Sequence, residues 1–435
     1  MRATAQGVVW VGVFLGVCVA PLAFALMGVS RPGQGFWTDF SVALGFVGLA
    51  LMGIEFALVA RVRVVAEPFG TDAVIQFHRE IGYVGLAFVL THTALSGPGV
   101  IAAFSLTELP WRARFAVLAV LALLVLMVTS VWRRRLRLSY EVWQVLHTVM
   151  ATLAVTAALV HVLLVNHYVD SLWKQVLWAI MTAAFVGLLL WIRIVRPLRL
   201  WRRPWVVEQV LPERGRITVL VLRPRGHEGL RFQPGQFAWI TVGRSPFSVT
   251  SHPFSFSSSA ETDGTVAVAI KALGDFTSSV SAVRPGATVY VDGPHGVFSI
   301  DQYEGAGFCL IAGGVGLVPA LSMLRTLADR GDVRPVVLFS AHRDHDSIPF
   351  REEIDELTGR LNLQVVHVLE QPPPGWTGES GRIDAGTLRR YLPSAGPRFQ
   401  FFVCGPNPML DAMEAAIPEI GIPADRVHTE RFAWV

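Results

Sequence analysis

The first half of the chain consists of long apolar runs separated by short polar segments. Six of these runs are close to the ~20 residues that a helix needs to cross a bilayer. They cover about residues 8–29, 36–60, 73–96, 113–132, 141–165 and 172–195. The first run also resembles a signal peptide, because Ala23-Phe24-Ala25 looks like a cleavage site, but its apolar stretch is longer than usual for one. The pattern therefore predicts six membrane-spanning helices, with the first one retained.

The second half follows a different pattern. Residues 205–300 alternate apolar and polar positions over short runs separated by Gly, Pro and Ser, which is typical of a small antiparallel β-barrel. From residue 306 onwards apolar strands alternate with helical segments, which is typical of an α/β domain with a parallel sheet. The predicted fold class is a multi-domain membrane protein, with boundaries at 1–200 for the six-helix bundle, 201–304 for the barrel and 305–435 for the α/β domain.

Composition agrees with this division. Of the 435 residues, 52% are hydrophobic and only 16% are charged, which is too apolar for an ordinary soluble protein. The net charge is +4, and the basic residues cluster in short loops. This distribution indicates membrane topology and not nucleic-acid binding. Cys18, Cys309 and Cys404 are far apart and match no disulfide or iron–sulfur pattern.

Loop charges predict the orientation. Eleven arginines lie on one side of the predicted bundle: Arg61, Arg63, Arg133, Arg134, Arg135, Arg137, Arg193, Arg196, Arg199, Arg202 and Arg203. The other side has Arg31, Arg112, Arg114 and Lys174. The positive-inside rule places the first side, and everything after residue 196, on the cytoplasmic side of a cell membrane, either a plasma or an inner membrane. The third and fifth helices then run parallel, from the cytoplasm outwards.

Four histidines in these two helices are the candidate metal ligands. Fourteen residues separate His78 from His92 in the third helix, and fourteen separate His147 from His161 in the fifth. This spacing leaves both rings of a helix within ~40° of one face and ~21 Å apart. Ionisable residues in membrane spans are costly, and haem iron takes an axial ligand from each side. We therefore prefer two stacked haem sites to the alternative that these are ordinary core histidines. The inner site would use His78 and His147, and the outer site His92 and His161.

Three further residues of the membrane half have less certain roles. Gly82 and Gly85 either let a flat macrocycle approach or pack helices together. Glu55, near the inner end of the second helix, is expected to snorkel towards water or to pair with a loop arginine.

The runs FGTDAVIQFHREIGYVGLAFVLTH and SYEVWQVLH resemble the transmembrane domain of the ferric reductase/NADPH oxidase family. The resemblance covers the membrane half and implies six helices with two b-type haems on helices three and five.

Short motifs follow one another in the second half. They are HPFSFSS at 252–258, KALGDFT at 271–277, DGPHG at 292–296, GGVG at 313–316, CGP at 404–406 and ERF at 430–432. Each alone is weak, since serine-rich runs are usually loops, Asp292-Gly293-Pro294 is by itself a turn, Cys404 suits a core, and GGVG is not a strict G-x-G-x-x-G. Their order resembles the ferredoxin–NADP reductase superfamily in its oxidase/ferric reductase form.

The resemblance implies a role for each motif. His252, Pro253, Phe254, Ser255, Ser257 and Ser258 would bind the isoalloxazine and ribityl part of FAD. Lys271, Gly274 and Thr277 would approach the FAD pyrophosphate, with Lys271 where the family usually has arginine. The nicotinamide nucleotide site would be lined by Gly313, Gly314, Gly316, Gly405 and Pro406, and the candidate catalytic residues are Cys404 and the flavin shield Phe432, with Trp434 as its substitute.

Arg343 is the candidate for selecting NADPH over NADH. It follows an apolar strand where the superfamily's NADPH users often place a basic residue, and a guanidinium matches a 2′-phosphate. A solvated loop arginine is the alternative.

The expected function is a transmembrane NAD(P)H-dependent flavocytochrome reductase. A flavin can accept a hydride and release single electrons, so electrons would pass from cytosolic NAD(P)H through FAD and two haems to an extracytoplasmic acceptor. Ser96 stands where the animal NADPH oxidases have a histidine, and Asp39, Glu108, His167 and Asp170 are the nearby polar residues, which favours a ferric chelate over dioxygen. The alternatives are an oxidase that forms superoxide and an electron-transfer subunit that serves an unknown protein partner.

Overall fold

The computed structural model describes residues 2–27, 33–60, 69–96, 109–243, 245–248, 251–394 and 396–432. The chain divides into two compact units, Met1–Arg196 and Pro197–Val435. Each is described separately.

The first unit is built from long apolar helices. They are α1 (Arg2–Leu26), α2 (Phe36–Val59), α3 (Thr71–Leu95), α4 (Trp111–Val131), α5 (Tyr140–Val165) and α6 (Leu172–Leu190). All six are long and apolar enough to cross a membrane, which confirms the predicted bundle. After α6 a π-helical turn, Trp191–Val195, leads into the short helix α7 (Arg196–Trp201). Ala23-Phe24-Ala25 lies within continuous α1.

Helices α2 and α3 pack antiparallel through small residues. A Cβ at Gly48 would lie 3.7 Å from the carbonyl oxygen of Gly85, and a Cβ at Gly85 would lie 3.7 Å from the Cβ of Leu51. A Cβ at Gly82 would lie 3.8 Å from Oε1 of Glu55 on α2. These glycines of α3 therefore face α2, as the helix-packing interpretation requires.

The second unit begins with an antiparallel sheet of six strands. They are β1 (Trp205–Glu213), β2 (Ile217–Pro224), β3 (Phe237–Val242), β4 (His252–Ser255), β5 (Val266–Lys271) and β6 (Thr288–His295), in the order β4-β3-β6-β1-β2-β5. A bridge between Phe256 and Val268 joins the two edges and closes the barrel, as predicted. The barrel interior includes Trp205, Leu220 and Phe256, and the short helix α8 (Asp275–Ser279) follows β5.

The second domain of this unit is a parallel sheet with helices. Its strands are β7 (Phe308–Gly313), β8 (Val336–His342), β9 (Leu363–Leu369), β10 (Glu379–Ser380), β11 (Gln400–Gly405) and β12 (Val427–Arg431), in the order β10-β9-β8-β7-β11-β12. The helices are α9 (Leu317–Asp329), α10 (Arg351–Thr358), α11 (Ala385–Tyr391) and α12 (Asn407–Glu419). Apolar clusters cover both faces, so β7 and β11 are buried throughout. This confirms the predicted α/β fold, and it sets the Gly-rich turns after β7 and β11 at one sheet edge.

Candidate redox and cofactor sites

The structure brings the two inner histidines close together. The ring centroids of His78 on α3 and His147 on α5 are 6.2 Å apart, with the ring planes inclined at 62°. Two metal–nitrogen bonds of about 2.0 Å and two ring radii add to roughly 6 Å. The separation therefore matches one metal ion between the two rings.

The two outer histidines are held by backbone carbonyls. Nδ1 of His92 lies 2.8 Å from the carbonyl oxygen of Ser41 on α2, and Nδ1 of His161 lies 2.8 Å from that of Arg112 on α4. A carbonyl only accepts, so each Nδ1 carries the proton and each Nε2 keeps its lone pair. Both outer rings are thus oriented as metal ligands usually are.

The inner histidine His147 is held by a hydroxyl. Its Nδ1 lies 3.0 Å from Oγ of Ser130 on α4, and that hydroxyl donates its own hydrogen to the carbonyl of Leu126 at 2.7 Å. Ser130 is thereby left to accept from Nδ1 of His147. Again Nε2 is left for a ligand.

The fourth histidine has a charged partner that the sequence analysis missed. Nδ1 of His78 lies against Oε2 of Glu55, whose side chain is 13% exposed. Glu55 therefore does not snorkel, and no described arginine pairs with it, while the loop arginines Arg61 and Arg63 lie outside the described residues. The reason is the antiparallel packing of α2 on α3, which sets Glu55 opposite His78 just as it sets Ser41 opposite His92. Ser41 and Glu55 are themselves fourteen residues apart, and this spacing was the available signal.

The donor set suits haem and not a metal held by protein alone. In the part of the chain that the structure describes, no group of three or more His, Cys, Asp or Glu side chains comes together. None of the four Nε2 atoms takes a hydrogen bond from a described residue. Haem brings four ligands of its own and needs two more, which two histidine pairs could supply.

The polar residues named for the outer end occupy different surroundings. Asp39 accepts a hydrogen bond from the hydroxyl of Tyr168, on which the ring of His167 packs at 4.6 Å. The hydroxyl of Ser96 donates to the carbonyl of His92 at 2.7 Å. Lys174, expected in a loop, is 2% exposed and donates to the carbonyl of Ala25 at 3.1 Å. Arg31, Arg61, Arg63, Glu108 and Trp434 lie outside the described residues.

In the barrel, the structure brings two of the motifs together. The ring of His252 stacks on that of Phe276 at 4.2 Å and 21°, and Phe254 is nearly parallel to Phe276 at 6.3 Å. Phe276 belongs to α8, and sequence reasoning had given it no role. Pro253 lies beside Trp239 in the register of β4 with β3. The aromatic side chains form one surface at this end of the barrel.

The serines of HPFSFSS separate into two groups. The hydroxyls of Ser255 and Ser257 are buried without a hydrogen-bond partner among the described residues. The hydroxyl of Ser258, in contrast, accepts the backbone N–H of Ala267 at 3.0 Å. Buried hydroxyls normally have partners, so Ser255 and Ser257 fit a cofactor contact, whereas Ser258 holds the fold.

The loop that follows β5 is held together by Thr277. Its hydroxyl oxygen accepts the backbone N–H groups of Leu273 and Gly274, each at 2.9 Å. Lys271, at the end of β5, extends its ammonium group to the nucleotide domain, where Nζ lies 3.9 Å from a Cβ placed on Gly314. Lys271 therefore lies beside the Gly-rich turn before α9.

Two glycine-containing turns pack closely against each other at the carboxyl ends of β7 and β11. Gly314 has a φ of +55°, and a Cβ on Gly316 would lie 2.1 Å from the carbonyl oxygen of Cys404. A Cβ on Gly405 would lie 3.2 Å from Cα of Gly313. Only glycine fits such approaches. The N-terminus of α9 opens beside these turns, and its N–H groups favour an anion.

Cys404 and Phe432 lie near the same turns. Cys404 is 2% exposed in β11. Phe432 is partly buried and packs against the apolar cluster that contains Cys404. Arg431 fixes the end of β12 through ion pairs with Asp411 at 2.9 Å and Glu414 at 2.6 Å. Pro406 precedes α12 as its N-cap residue.

Arg343 follows β8 at the same edge of the sheet. It is exposed, and its Nε donates to Oε1 of Gln371 at 3.2 Å. Burial lowers the pKa of the neighbouring His342 to about 4, so His342 is neutral at pH 7. Of these two neighbouring side chains, Arg343 is therefore the one that carries the positive charge.

Comparison with known proteins gives three family matches, in the same order along the chain as the domains. Family models match at residues 44–158 (ferric reductase like transmembrane component), 209–299 (FAD-binding domain) and 310–415 (oxidoreductase NAD-binding domain). The chain has the domain architecture of the ferric reductase/NADPH oxidase family. It is a multi-pass membrane protein with the domains of an NAD(P)H-dependent flavoprotein oxidoreductase.

Individual relatives match parts of this ferric reductase-like chain. It is 31% identical over 163 residues to NADH-cytochrome b5 reductase 1 of Cryptococcus neoformans, covering 35% of this chain and 55% of that one. It is 31% identical over 247 residues to a flavohemoprotein of Deinococcus radiodurans, covering 53% and 60%. A solved structure, "Ferredoxin reductase in carbazole 1,9a-dioxygenase", matches at 25% identity and a TM-score of 0.47, covering 53% and 69%. The chain spans little more than half the length of these two curated relatives.

Proposed function

We propose that the chain is a transmembrane NAD(P)H-dependent oxidoreductase that passes electrons through FAD and two b-type haems to an extracytoplasmic one-electron acceptor. The observation that carries the proposal is the state of the four membrane histidines. All four have Nδ1 engaged and Nε2 without a hydrogen bond from the described residues, and they occur in a chain that also has FAD- and nucleotide-binding domains.

His78 and His147 would hold the inner haem, and His92 and His161 the outer one. When bound, the haems supply one-electron carriers and FAD exchanges a hydride for single electrons. The residues around them orient the rings: α2 provides Ser41 and Glu55, and α4 provides Ser130 and the Arg112 carbonyl. Rigid ligand orientation favours electron transfer with little reorganisation.

The barrel, residues 201–304, would bind FAD. Ser255 and Ser257 would offer their hydroxyls to it, and His252 and Phe254 their ring surfaces, with Pro253 between. Gly274 and Thr277 would shape the loop beside the flavin pyrophosphate. Ser258 contributes indirectly through its bond to Ala267.

Residues 305–435 would bind the nicotinamide nucleotide. Its pyrophosphate would lie on the Gly313, Gly314 and Gly316 turn at the start of α9, opposite Gly405 and Pro406. The Lys271 ammonium at this turn would add a positive charge. Cys404 and Phe432 would face the reacting rings, and Arg343 would bind the 2′-phosphate of NADPH.

The arginines between α4 and α5, at 133–135 and 137, support a cytoplasmic position for the nucleotide. The outer haem would then deliver electrons outside. Ser96 there is engaged with the His92 carbonyl and offers no cation to stabilise superoxide, and the carboxylate of Asp39 suits a cationic metal species. A ferric chelate is therefore the proposed acceptor.

Purified protein in detergent tests the haem assignment. We expect two six-coordinate haems per chain. His92→Leu and His161→Leu should each lose mainly the outer haem, and His78→Leu and His147→Leu mainly the inner one. Full haem content in all four variants would refute the ligand assignment.

A second experiment tests the acceptor. NADPH consumption with saturating ferric chelate under argon is compared with consumption in air, where superoxide is detected. We expect the ferric chelate to support the faster turnover. Faster turnover in air, with superoxide accounting for the electrons, would establish an oxidase. Turnover only with a copurifying protein would establish an electron-transfer subunit.

A further inference from the structure

We propose that Glu55 is a positioning residue that makes the two haem sites unequal, by placing a carboxylate against Nδ1 of His78. This inference rests on the proposed bis-haem function. It assigns the lower reduction potential to the inner haem.

The four ligand histidines differ in what holds Nδ1. For His92 and His161 the partner is a neutral backbone carbonyl, and for His147 it is a neutral hydroxyl. For His78 it is the Glu55 carboxylate. A carboxylate partner raises the basicity of a ligating imidazole more than a neutral acceptor does.

When the pair holds one proton, the place of that proton along the contact does not change the result. A carboxylate beside an imidazole and a carboxylic acid beside an imidazolate carry the same total charge of −1. The His78–Glu55 pair therefore brings one more negative charge to the inner site than any other ligand brings to its own site.

The surroundings of Glu55 keep that charge effective. Its side chain is 13% exposed and lies within α2, where water is scarce. No lysine or arginine among the described residues pairs with it. Gly82, one turn after His78, leaves space for the carboxylate, because a Cβ there would already lie 3.8 Å from Oε1. A charge in such a low-dielectric setting acts strongly over short distances.

The functional consequence is the direction of electron flow. A nearby negative charge favours the oxidised iron, so the inner site should be harder to reduce than the outer one. Electrons that reach the inner site would then move downhill to the outer site. Glu55 would thus drive transfer towards the extracytoplasmic face without touching either electron donor or acceptor.

Redox titration of the haem absorbance, in the purified full-length holoprotein, tests the inference. The wild-type protein is compared with Glu55→Gln, with Glu55→Asp, and with the matched control Ser41→Ala. The control removes a hydroxyl beside His92 but leaves the carbonyl that accepts its Nδ1–H. Each variant is also titrated with His92→Leu, so that the inner haem is observed alone.

We expect Glu55→Gln to favour reduction of the inner haem at least tenfold, which is about 59 mV for one electron. The outer haem should change less than twofold. Glu55→Asp, which retains the charge, should lie nearer the wild type than Glu55→Gln does. Ser41→Ala should leave the inner haem unchanged.

Three results would overturn the inference: an inner potential unchanged in Glu55→Gln, equal shifts in both haems, or an Asp variant indistinguishable from Gln. If Glu55→Gln binds no inner haem, Glu55→Asp decides, since it must bind haem and keep the lower potential. Absence of haem from the wild-type protein would instead refute the proposed function.

Discussion

Arg325 joins the two domains of the second unit at the serine motif. From α9 in the nucleotide domain, its Nη1 donates to the carbonyl oxygen of Ser257 at 2.6 Å. Its Nε and Nη2 donate to the two carboxylate oxygens of Glu353, each at 2.6 Å. Ser257 is fully buried and carries one of the two unpartnered hydroxyls. We predict that Arg325 stabilises the barrel in its flavin-binding form.

Arg325→Met keeps much of the apolar stem and removes the donors. The buried Ser257 carbonyl then loses a charge-assisted hydrogen bond, which costs about 1–3 kcal/mol. The Glu353 pair contributes about 0–1 kcal/mol, because its carboxylate is 34% exposed and screened by solvent. A total of roughly 1–4 kcal/mol should lower the melting temperature of a unit of this size by roughly 2–16 °C.

The assay is the temperature at which flavin fluorescence rises as FAD is released. Arg360→Met is the matched control, since its ion pair with Asp329 is more exposed on both sides, at 54% and 39%. We expect only a small shift for the control. Equal release temperatures for Arg325→Met and the wild type, or equal shifts in both variants, would refute the reasoning.

Three further substitutions test the nucleotide site by steady-state kinetics and flavin content. Arg343→Ala should raise the KM for NADPH and leave that for NADH unchanged; equal use of both nucleotides by the parent protein would contradict this role. Phe432→Ser should change nucleotide affinity and the rate of hydride transfer while FAD content stays constant, and unchanged kinetics would direct attention to Trp434. Lys271→Ala should raise the KM for both nucleotides at constant FAD content, because its ammonium lies at the Gly-rich turn; loss of FAD alone would place Lys271 at the flavin instead.

Elements with a strong apolar pattern were predictable from the sequence. The six helices and the strands buried on both faces have long or continuous apolar runs, and the structure places them within a few residues of expectation. Strands β4, β10 and β12 were missed, and β10 has only two residues. β4 has only four residues, one of them Pro253, and β12 reads VHTER at the edge of its sheet, where little apolar surface is required.

Side-chain partners were less predictable, because they depend on how one helix registers against another. The histidine pairs followed from a repeated spacing within single helices. The pairing of Glu55 with His78 depends instead on the antiparallel alignment of α2 and α3. Similarly, nothing local distinguishes Ser257 from Ser258. Only the pairing with Ala267 shows which hydroxyl is already engaged.

The spacing of two residues on helix α2 matches the spacing of the two histidines that they contact on α3. Ser41 and Glu55 match the separation of His92 and His78, so both contacts are satisfied by one alignment. Inserting or deleting a single residue between positions 41 and 55 would turn one end of α2 by about 100° relative to the other. One histidine would then lose its acceptor whichever way the helix settled. Over evolutionary time this stretch should therefore accept changes of residue type far more readily than changes of length.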